Sequence, residues 1–200
     1  MKRTEVAKLR RREILAAYYE TLVAEGLQAT SIAKIARRLG VPHSLLIHYF
    51  GTKEQMTVEL VDYLLEEYRQ AYGDRLAAIV DPLERLHSIL DMLFDPEYHK
   101  LLDDSVFYAC FYISLRQEQV RQRFATLHED SLQLIEHTLS ECMAAGHLAE
   151  DEPRELALFI KSLEEGYALL IGGNTDDAAR AKLGTMLRAR TGDVLGIPSA

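Results

Sequence analysis

Apolar residues recur every three or four positions along almost the whole chain, and no stretch alternates apolar and polar residues for more than a few positions. A period near 3.6 is typical of helices with one buried face, whereas strands repeat every second residue. The sequence therefore predicts an all-α fold of nine helices. They span residues 5–25, 31–39, 43–49, 53–73, 82–94, 97–115, 118–145, 153–172 and 175–191.

Proline and glycine mark the ends of these helices. Proline is tolerated at the first helical position because its missing N–H would be unpaired there in any case. Acidic residues precede proline at three predicted helix starts, Asp81-Pro82, Asp95-Pro96 and Glu152-Pro153. Glycine is favoured just past a helix end, where the backbone turns left-handed. The predicted stops are Gly26, Gly40, Gly51, Gly146 and Gly172-Gly173.

The second and third predicted helices have the spacing of a helix-turn-helix motif. Ala36 is followed four residues later by Gly40 and six residues after that by Leu46. A small side chain lets two helices approach, glycine turns the chain, and an aliphatic side chain packs the second helix on the first. We expect the first helix to cover both through Ile14, Tyr18 and Leu22. An ordinary helical hairpin is the alternative.

Charge divides the chain into a basic head and an acidic body. Residues 1–53 contain ten Lys and Arg against four Glu, a net charge of +6, and the total of −8 leaves −14 for residues 54–200. A basic head suits binding to a polyanion, although a solvated run of charge is the plain alternative.

The block TSIAKIARRLGVPHSLLIHYFGTKEQM, residues 30–56, resembles the TetR family of transcriptional repressors. The resemblance is close over about the first quarter of the chain, and beyond it extends only to length, helical pattern and a long helix after Thr52. It implies a helix-turn-helix DNA-binding domain at residues 1–52 and a helical-bundle effector-binding and dimerisation domain at 53–200. It also implies a ligand-responsive repressor that binds a palindromic operator as a homodimer and is released by a small-molecule effector.

By this resemblance, the helix from Pro42 to Tyr49 enters the major groove of double-stranded DNA. Leu45 stands where family members commonly have threonine, and it can offer only apolar contact, for instance to a thymine methyl. Ile47 stands where the family commonly has tyrosine, and these departures together affect one phosphate contact that the resemblance implies. The predicted DNA-binding residues are Thr30, Ser31, Pro42, His43, Ser44, Leu45, His48, Tyr49 and Lys53.

Two of these positions have a physical reason of their own. Thr30 or Ser31 opens a helix, where unpaired backbone N–H groups and the positive end of the helix dipole favour an anion. Lys53 lies in a first turn, where a cation opposes the dipole, so we interpret it as facing a DNA phosphate; an idle surface lysine is the alternative. The arginines at 10–12, 37 and 38, together with Lys2 and Arg3, add attraction without specificity.

The acidic body carries two further predictions. Aromatic side chains on one helix suggest an effector pocket, because bundle pockets are mostly apolar with a few polar tips; a plain hydrophobic core is the alternative. The predicted pocket residues are Met92, Phe107, Tyr108, Phe111 and Tyr112. The last two helices have more apolar surface than one neighbour covers, which predicts a homodimer interface. Its residues are Leu156, Phe159, Ile160, Leu163, Tyr167, Leu170, Leu183 and Leu187.

Other classes of protein remain open at this point. A helical dimerisation or adaptor module whose head binds an acidic surface fits the charges, and an all-α enzyme is the third candidate. We predict no enzyme, cofactor or metal site, because the chain has no phosphate-binding loop, nucleophile elbow or zinc-protease motif. The two cysteines, Cys110 and Cys142, match no metal or redox spacing and are expected to be buried thiols. Without a membrane span or signal peptide, a cytoplasmic protein is expected.

Overall fold

The computed structural model describes residues 3–68, 73–97, 103–172 and 176–197. Within them the chain is all-α, with no β-strand. No described helix is both long and apolar enough to cross a membrane. The described helices are α1 (Arg3–Ala29), α2 (Ile32–Leu39), α3 (His43–Phe50), α4 (Lys53–Tyr68), α5 (Asp74–Ala77), α6 (Pro82–Leu93), α7 (Asp104–Ser114), α8 (Glu118–Ala144), α9 (Pro153–Gly172) and α10 (Asp177–Leu195).

The fold class predicted from periodicity is confirmed, and every predicted helix is present. Eight of the nine begin within two residues of the predicted start. The structure adds α5, a single turn. It also interrupts α1 at Gly26, where φ is +76°, at the stop predicted for that helix. The predictions at residues 69–72 and 98–102, Gly173 and residue 175 lie outside the described residues, as does Lys2.

One predicted helix start is wrong. Asp95-Pro96 opens a turn, in which the Asp95 carboxylate accepts a hydrogen bond from the backbone N–H of Glu97 at 2.9 Å. The next helix among the described residues begins at Asp104. The same acidic–proline pair serves both purposes, because an aspartate side chain caps a turn as well as a helix. At Asp81 it caps α6 as predicted, accepting from the N–H of Glu84 at 2.7 Å.

The chain folds as two compact units. The first comprises Met1–Gln70 and Leu102–Thr126, and the second comprises Ala71–Leu101 and Leu127–Ala200. This division by packing differs from the predicted functional division at residues 52 and 53, which stays a prediction.

The first unit is built on α1. Ile14, Tyr18 and Leu22 lie one helical turn apart on its inner face, and all three are buried, as predicted. They cover the apolar faces of the short helices that follow, where Ile35, Ala36 and Leu46 are also buried. Burying a large aliphatic side chain stabilises a fold by about 1.5–3 kcal/mol, so this shared core holds together helices too short to persist alone.

The second unit has its own core. Its fully buried members include Leu86, Leu90, Leu139, Ile160 and Tyr167, contributed by α6, α8 and α9. Helix α10 closes this core, and it approaches so closely that one position accepts only glycine. A Cβ atom at Gly184 would lie 2.1 Å from the backbone oxygen of Phe94 and 2.8 Å from the hydroxyl of Tyr167.

We expect Gly184→Ala to destabilise the second unit by about 2–4 kcal/mol, because overpacking forces backbone apart when the obstacle is a carbonyl. The control is Thr185→Ala, at the exposed next position of the same helix, which should change stability by no more than about 0.5 kcal/mol. Chemical denaturation of the three proteins measures the difference. Equal stability of Gly184→Ala and the unmutated chain would contradict the close approach of α10.

Candidate nucleic-acid interface

The turn between α2 and α3 is a glycine-capped helix end. Gly40 adopts the left-handed conformation, with φ 67° and ψ 31°. Its N–H and that of Val41 donate to the carbonyls of Arg37 and Ala36, at 3.1 and 3.0 Å. This paired arrangement satisfies the last carbonyls of α2 and sets the direction in which the chain leaves. The predicted helix-turn-helix geometry follows from it, and α2 and α3 pack against each other.

Helix α3 is held by one face and exposes the other. Leu46 is 0 % exposed and Phe50 is 5 % exposed, and both lie in the core of the first unit. Pro42 precedes the helix in an extended conformation, and Gly51 ends it with its N–H on the carbonyl of Ile47. The exposed residues are Pro42, His43, Ser44, Ile47 and His48, whereas Leu45 and Tyr49 are half-buried at the edges of this face.

Thr30 and Ser31, the two residues predicted to bind DNA at the N-terminus of α2, have different surroundings. Ser31 is exposed and caps the helix, accepting a hydrogen bond from the N–H of Lys34 at 3.3 Å. Thr30 is only 3 % exposed, and its hydroxyl donates to the carbonyl of Gly26 at 2.7 Å. The Thr30 hydroxyl is therefore engaged inside the protein, and a DNA contact by this residue stays a prediction. A threonine one position before a cap is equally able to turn inward and hold the preceding chain.

The side chain of Lys53 reaches the start of α2, where the sequence predicts an anion site. Its ammonium donates to the carbonyl of Thr30 at 2.6 Å, directly before the start of α2. An ammonium carries three N–H donors, so this bond leaves two more. The contact also explains how a lysine is accommodated in the first turn of α4, since the nearby carbonyl dipole offsets the unfavourable helix dipole.

A buried hydrogen-bond chain positions this first turn. The Thr57 hydroxyl donates to the carbonyl of Lys53 at 2.9 Å. Because that uses its only hydrogen, the Tyr18 hydroxyl must be the donor in the 2.9 Å contact between Tyr18 and Thr57. Burial raises the pKa of Tyr18 to about 12, so its hydroxyl keeps the proton that it donates.

Arg11 fastens α1 to the end of α3. Its guanidinium donates to the backbone oxygen of Tyr49 at 2.6 Å, pairs with Glu59, and lies 5.1 Å from the centre of the Phe50 ring. The sequence predicted only long-range attraction for this arginine. Its planar guanidinium group instead links α1 to α3 and α4, and a lysine could not make the same set of contacts.

Carboxylates compensate much of the positive charge of the head. Pairing lowers the field that reaches a distant polyanion, so the net count of +6 overstates the attraction. The pairs are Arg10–Glu13, Arg11–Glu59, Arg12–Glu67, Lys34–Glu25 and Arg38–Glu20. Among the described side chains of the head, Lys8, Arg37 and Lys53 have no carboxylate partner, which leaves these three cations available to an external anion.

The aromatic residues predicted to form a pocket lie mostly on α7. Phe107 and Phe111 contact Phe124 of α8, with ring centres 5.6 and 6.0 Å apart, and Phe111 and Tyr112 are exposed. Tyr108 is half-buried beside Phe107, and Met92 belongs to the second unit, where it packs against the core. The effector pocket stays a prediction.

A polar groove of about 530 Å³ in the first unit is lined by Asp62, Leu65, Glu66, Gln122, Arg123 and Thr126.

The predicted dimer residues divide into two groups. Ile160 and Tyr167 are 0 % and 1 % exposed in the core of the second unit, so they are not available to a partner. Leu156, Leu163, Leu183 and Leu187 are partly buried against that core. Phe159 and Leu170 are exposed, and so are several apolar residues that the prediction omitted. These are Leu158, Leu169, Met186 and Val194.

Both parts of the chain match described protein families. Residues 14–60 match the family of bacterial regulatory proteins named tetR, and residues 81–184 match the tetracyclin repressor-like C-terminal domain. The chain is 35 % identical over 88 residues to the HTH-type transcriptional regulator BetI 1 of Chromohalobacter salexigens, covering 44 % of each protein. It is 27 % identical over 120 residues to BetI of Brucella anthropi, covering 60 % of this chain and 61 % of that one. The chain spans about half the length of the curated relatives it matches.

Solved structures share the fold. A TetR transcription regulator from Haloarcula marismortui has a TM-score of 0.82 at 19 % identity, covering 94 % of this chain and 98 % of its own. A transcriptional regulator from Saccharomonospora viridis, solved in complex with choline, has a TM-score of 0.78 at 20 % identity, covering 94 % and 96 %. The C-terminal family match alone covers more than half of the chain. With its helix-turn-helix head and both family domains in place, the chain belongs to the TetR family of transcriptional regulators.

Proposed function

We propose that this chain is a repressor that binds a palindromic operator in double-stranded DNA as a homodimer and is released by a small-molecule effector. The observation that carries the proposal is the anchoring of α3. Its apolar residues Leu46 and Phe50 face the core, and a polar face with two imidazoles and a hydroxyl stays exposed. A short exposed helix of this kind fits the major groove, which is about 12 Å wide.

The contacts around α3 supply the positioning part of binding. Ser31 caps α2 with its side chain exposed, and the first N–H groups of that helix offer an anion site for a phosphate. Lys53 lies beside them through its bond to Thr30. We propose that Ser31 and Lys53 hold one phosphate, that Tyr49 contacts another at the edge of α3, and that His43, Ser44 and His48 contact base edges or the adjacent backbone.

The homodimer is supported by the exposed apolar residues of α9 and α10. With about 100° of rotation per residue, Leu158, Phe159, Leu169 and Leu170 fall within one third of the circumference of α9. All four are exposed, and Leu169 and Leu170 are each 63 % exposed. Exposed apolar residues grouped on one side of a helix in this way mark an association surface. A two-fold dimer would place two copies of α3 about one DNA turn, roughly 34 Å, apart.

The effector site is proposed at the aromatic rings of α7. Tyr108 and Tyr112 bring hydroxyl tips to an otherwise apolar group, and the guanidinium of Arg116 lies 5.0 Å from the Tyr112 ring centre, so this ring already binds a cation on one face. The Saccharomonospora viridis regulator was solved with choline, a quaternary ammonium that aromatic rings attract. Choline is therefore the first effector to add to the complex with DNA. Because the partner is chromosomal DNA, we place the protein in the cytoplasm.

Selection of bound duplexes from a random pool tests the proposed function. We expect enrichment of one palindrome with half-sites 10–10.5 base pairs apart or a multiple of that spacing, since protein symmetry is mirrored in the operator. Enrichment of no sequence, or capture of single-stranded and double-stranded polyanions alike, would favour the adaptor module instead.

Lys53→Gln should weaken operator binding and reduce the slope of log K against log salt by about 0.9, the contribution of one neutralised phosphate. The matched control is Arg38→Gln, which removes the same charge from the head but at a residue paired with Glu20 at 2.9 Å. Its slope should change by less than half as much. Fluorescence anisotropy titrations at several salt concentrations measure both, and equal slopes for the two variants would remove Lys53 from the phosphate contacts.

Leu170→Glu should convert the dimer to a monomer, because a carboxylate within an apolar interface is desolvated without a partner. Operator affinity should then fall by about a hundredfold or more, as the second half-site no longer binds within the same molecule. Val80→Glu is the control, since Val80 is 91 % exposed on a loop of the same unit. Sedimentation equilibrium at micromolar concentration gives the masses; a Leu170→Glu variant that remains dimeric would place the interface elsewhere.

A further inference from the structure

We propose that Ile47 is a specificity-determining residue whose side chain contacts the C5-methyl group of a thymine in the operator. The inference rests on the proposed DNA-binding function and adds to it one residue and one base. It was not among the residues that the sequence predicted to touch DNA.

The position of Ile47 on α3 carries the inference. Successive helical residues are rotated by about 100°, so the exposed side chains of His43, Ile47, Ser44 and His48 follow one another across an arc of roughly 140°. Ile47 and Ser44 occupy the middle of that arc, and the two histidines flank it. A helix lying in the major groove presents the middle of its outer face to the base edges and its flanks to the groove walls.

Packing in the core of the first unit does not account for an isoleucine at position 47. Its side chain is 45 % exposed, whereas its neighbour Leu46 is 0 % exposed. Leu45, the residue for which the sequence suggested a thymine contact, is half-buried and lies about 60° beyond the edge of the exposed arc. Of the two aliphatic candidates, the structure therefore favours Ile47.

The chemistry of isoleucine selects one base. In the major groove each base edge presents hydrogen-bonding groups, and thymine alone adds a methyl group. Ile47 can satisfy no donor or acceptor, so contact with any other edge leaves a polar group desolvated. A β-branched side chain in a helix is also restricted to one main χ1 rotamer, so the position of its terminal groups is set before binding.

Replacing single thymines of the selected operator by deoxyuridine tests the contact, because uracil pairs identically but lacks the methyl group. At one thymine per half-site, we expect the replacement to weaken binding of the unmutated protein about fourfold, the value for removing one buried methyl-sized group. The variant Ile47→Ala should bind thymine and uracil equally at that position and keep any discrimination at the others.

Two further variants make the test independent of folding. Ser44→Ala, at a neighbouring exposed position that is itself proposed to contact DNA, should lower the overall affinity but keep the fourfold ratio between thymine and uracil at the base read by Ile47. Ile47→Val, which retains the β-branch, should fold normally and show a smaller preference than the unmutated chain. Melting temperatures of all variants without DNA show whether any loss of binding comes from unfolding.

Each outcome decides between the two proposals. If the unmutated protein selects no duplex, the proposed function fails and this inference with it. If it selects an operator but no uracil replacement alters affinity, or Ile47→Ala keeps the preference for thymine, the proposed function stands and the reading of thymine by Ile47 is overturned.

Discussion

The burial of Leu46 and Phe50 decides what α3 can do. These two side chains fix the rotation of an eight-residue helix about its axis, and a change of one residue in that rotation would turn the outer face by about 100°. Arg11 holds the end of the same helix through the backbone oxygen of Tyr49. Which residues face outward is therefore a consequence of core packing in the first unit, and recognition chemistry is added on the face that the core leaves free.

A second set of contacts links the start of α4 to the start of α2. Tyr18 donates to Thr57, Thr57 donates to the carbonyl of Lys53, and the Lys53 ammonium donates to the carbonyl of Thr30. The three bonds are 2.6–2.9 Å long and partly or fully shielded from water, where hydrogen bonds are stronger and unpaired groups are costly. The anion site at the N-terminus of α2 and the lysine beside it are consequently positioned by the same buried residues that hold the helices of the first unit together.

Sequence periodicity predicted the helices well because each amphipathic face is recorded locally. Ala36, Gly40 and Leu46 predicted the turn for the same reason. The errors came from information that is not local. The partner of Arg11, for example, is Glu59, 48 residues away. Ile160 and Tyr167 share an apolar helix with Leu170, but only the positions of α6, α8 and α10 show which side of α9 is already covered.

The imidazole signals of the histidines provide the most direct test that the outer face of α3 lies against DNA. The chain has seven histidines, two of them on α3 and others, such as His128 and His137, on α8. On adding the selected operator to isotopically labelled protein, nuclear magnetic resonance should show the His43 and His48 signals shifting while those of His128 and His137 stay in place. A saturated complex in which the His43 and His48 signals do not move would contradict the account.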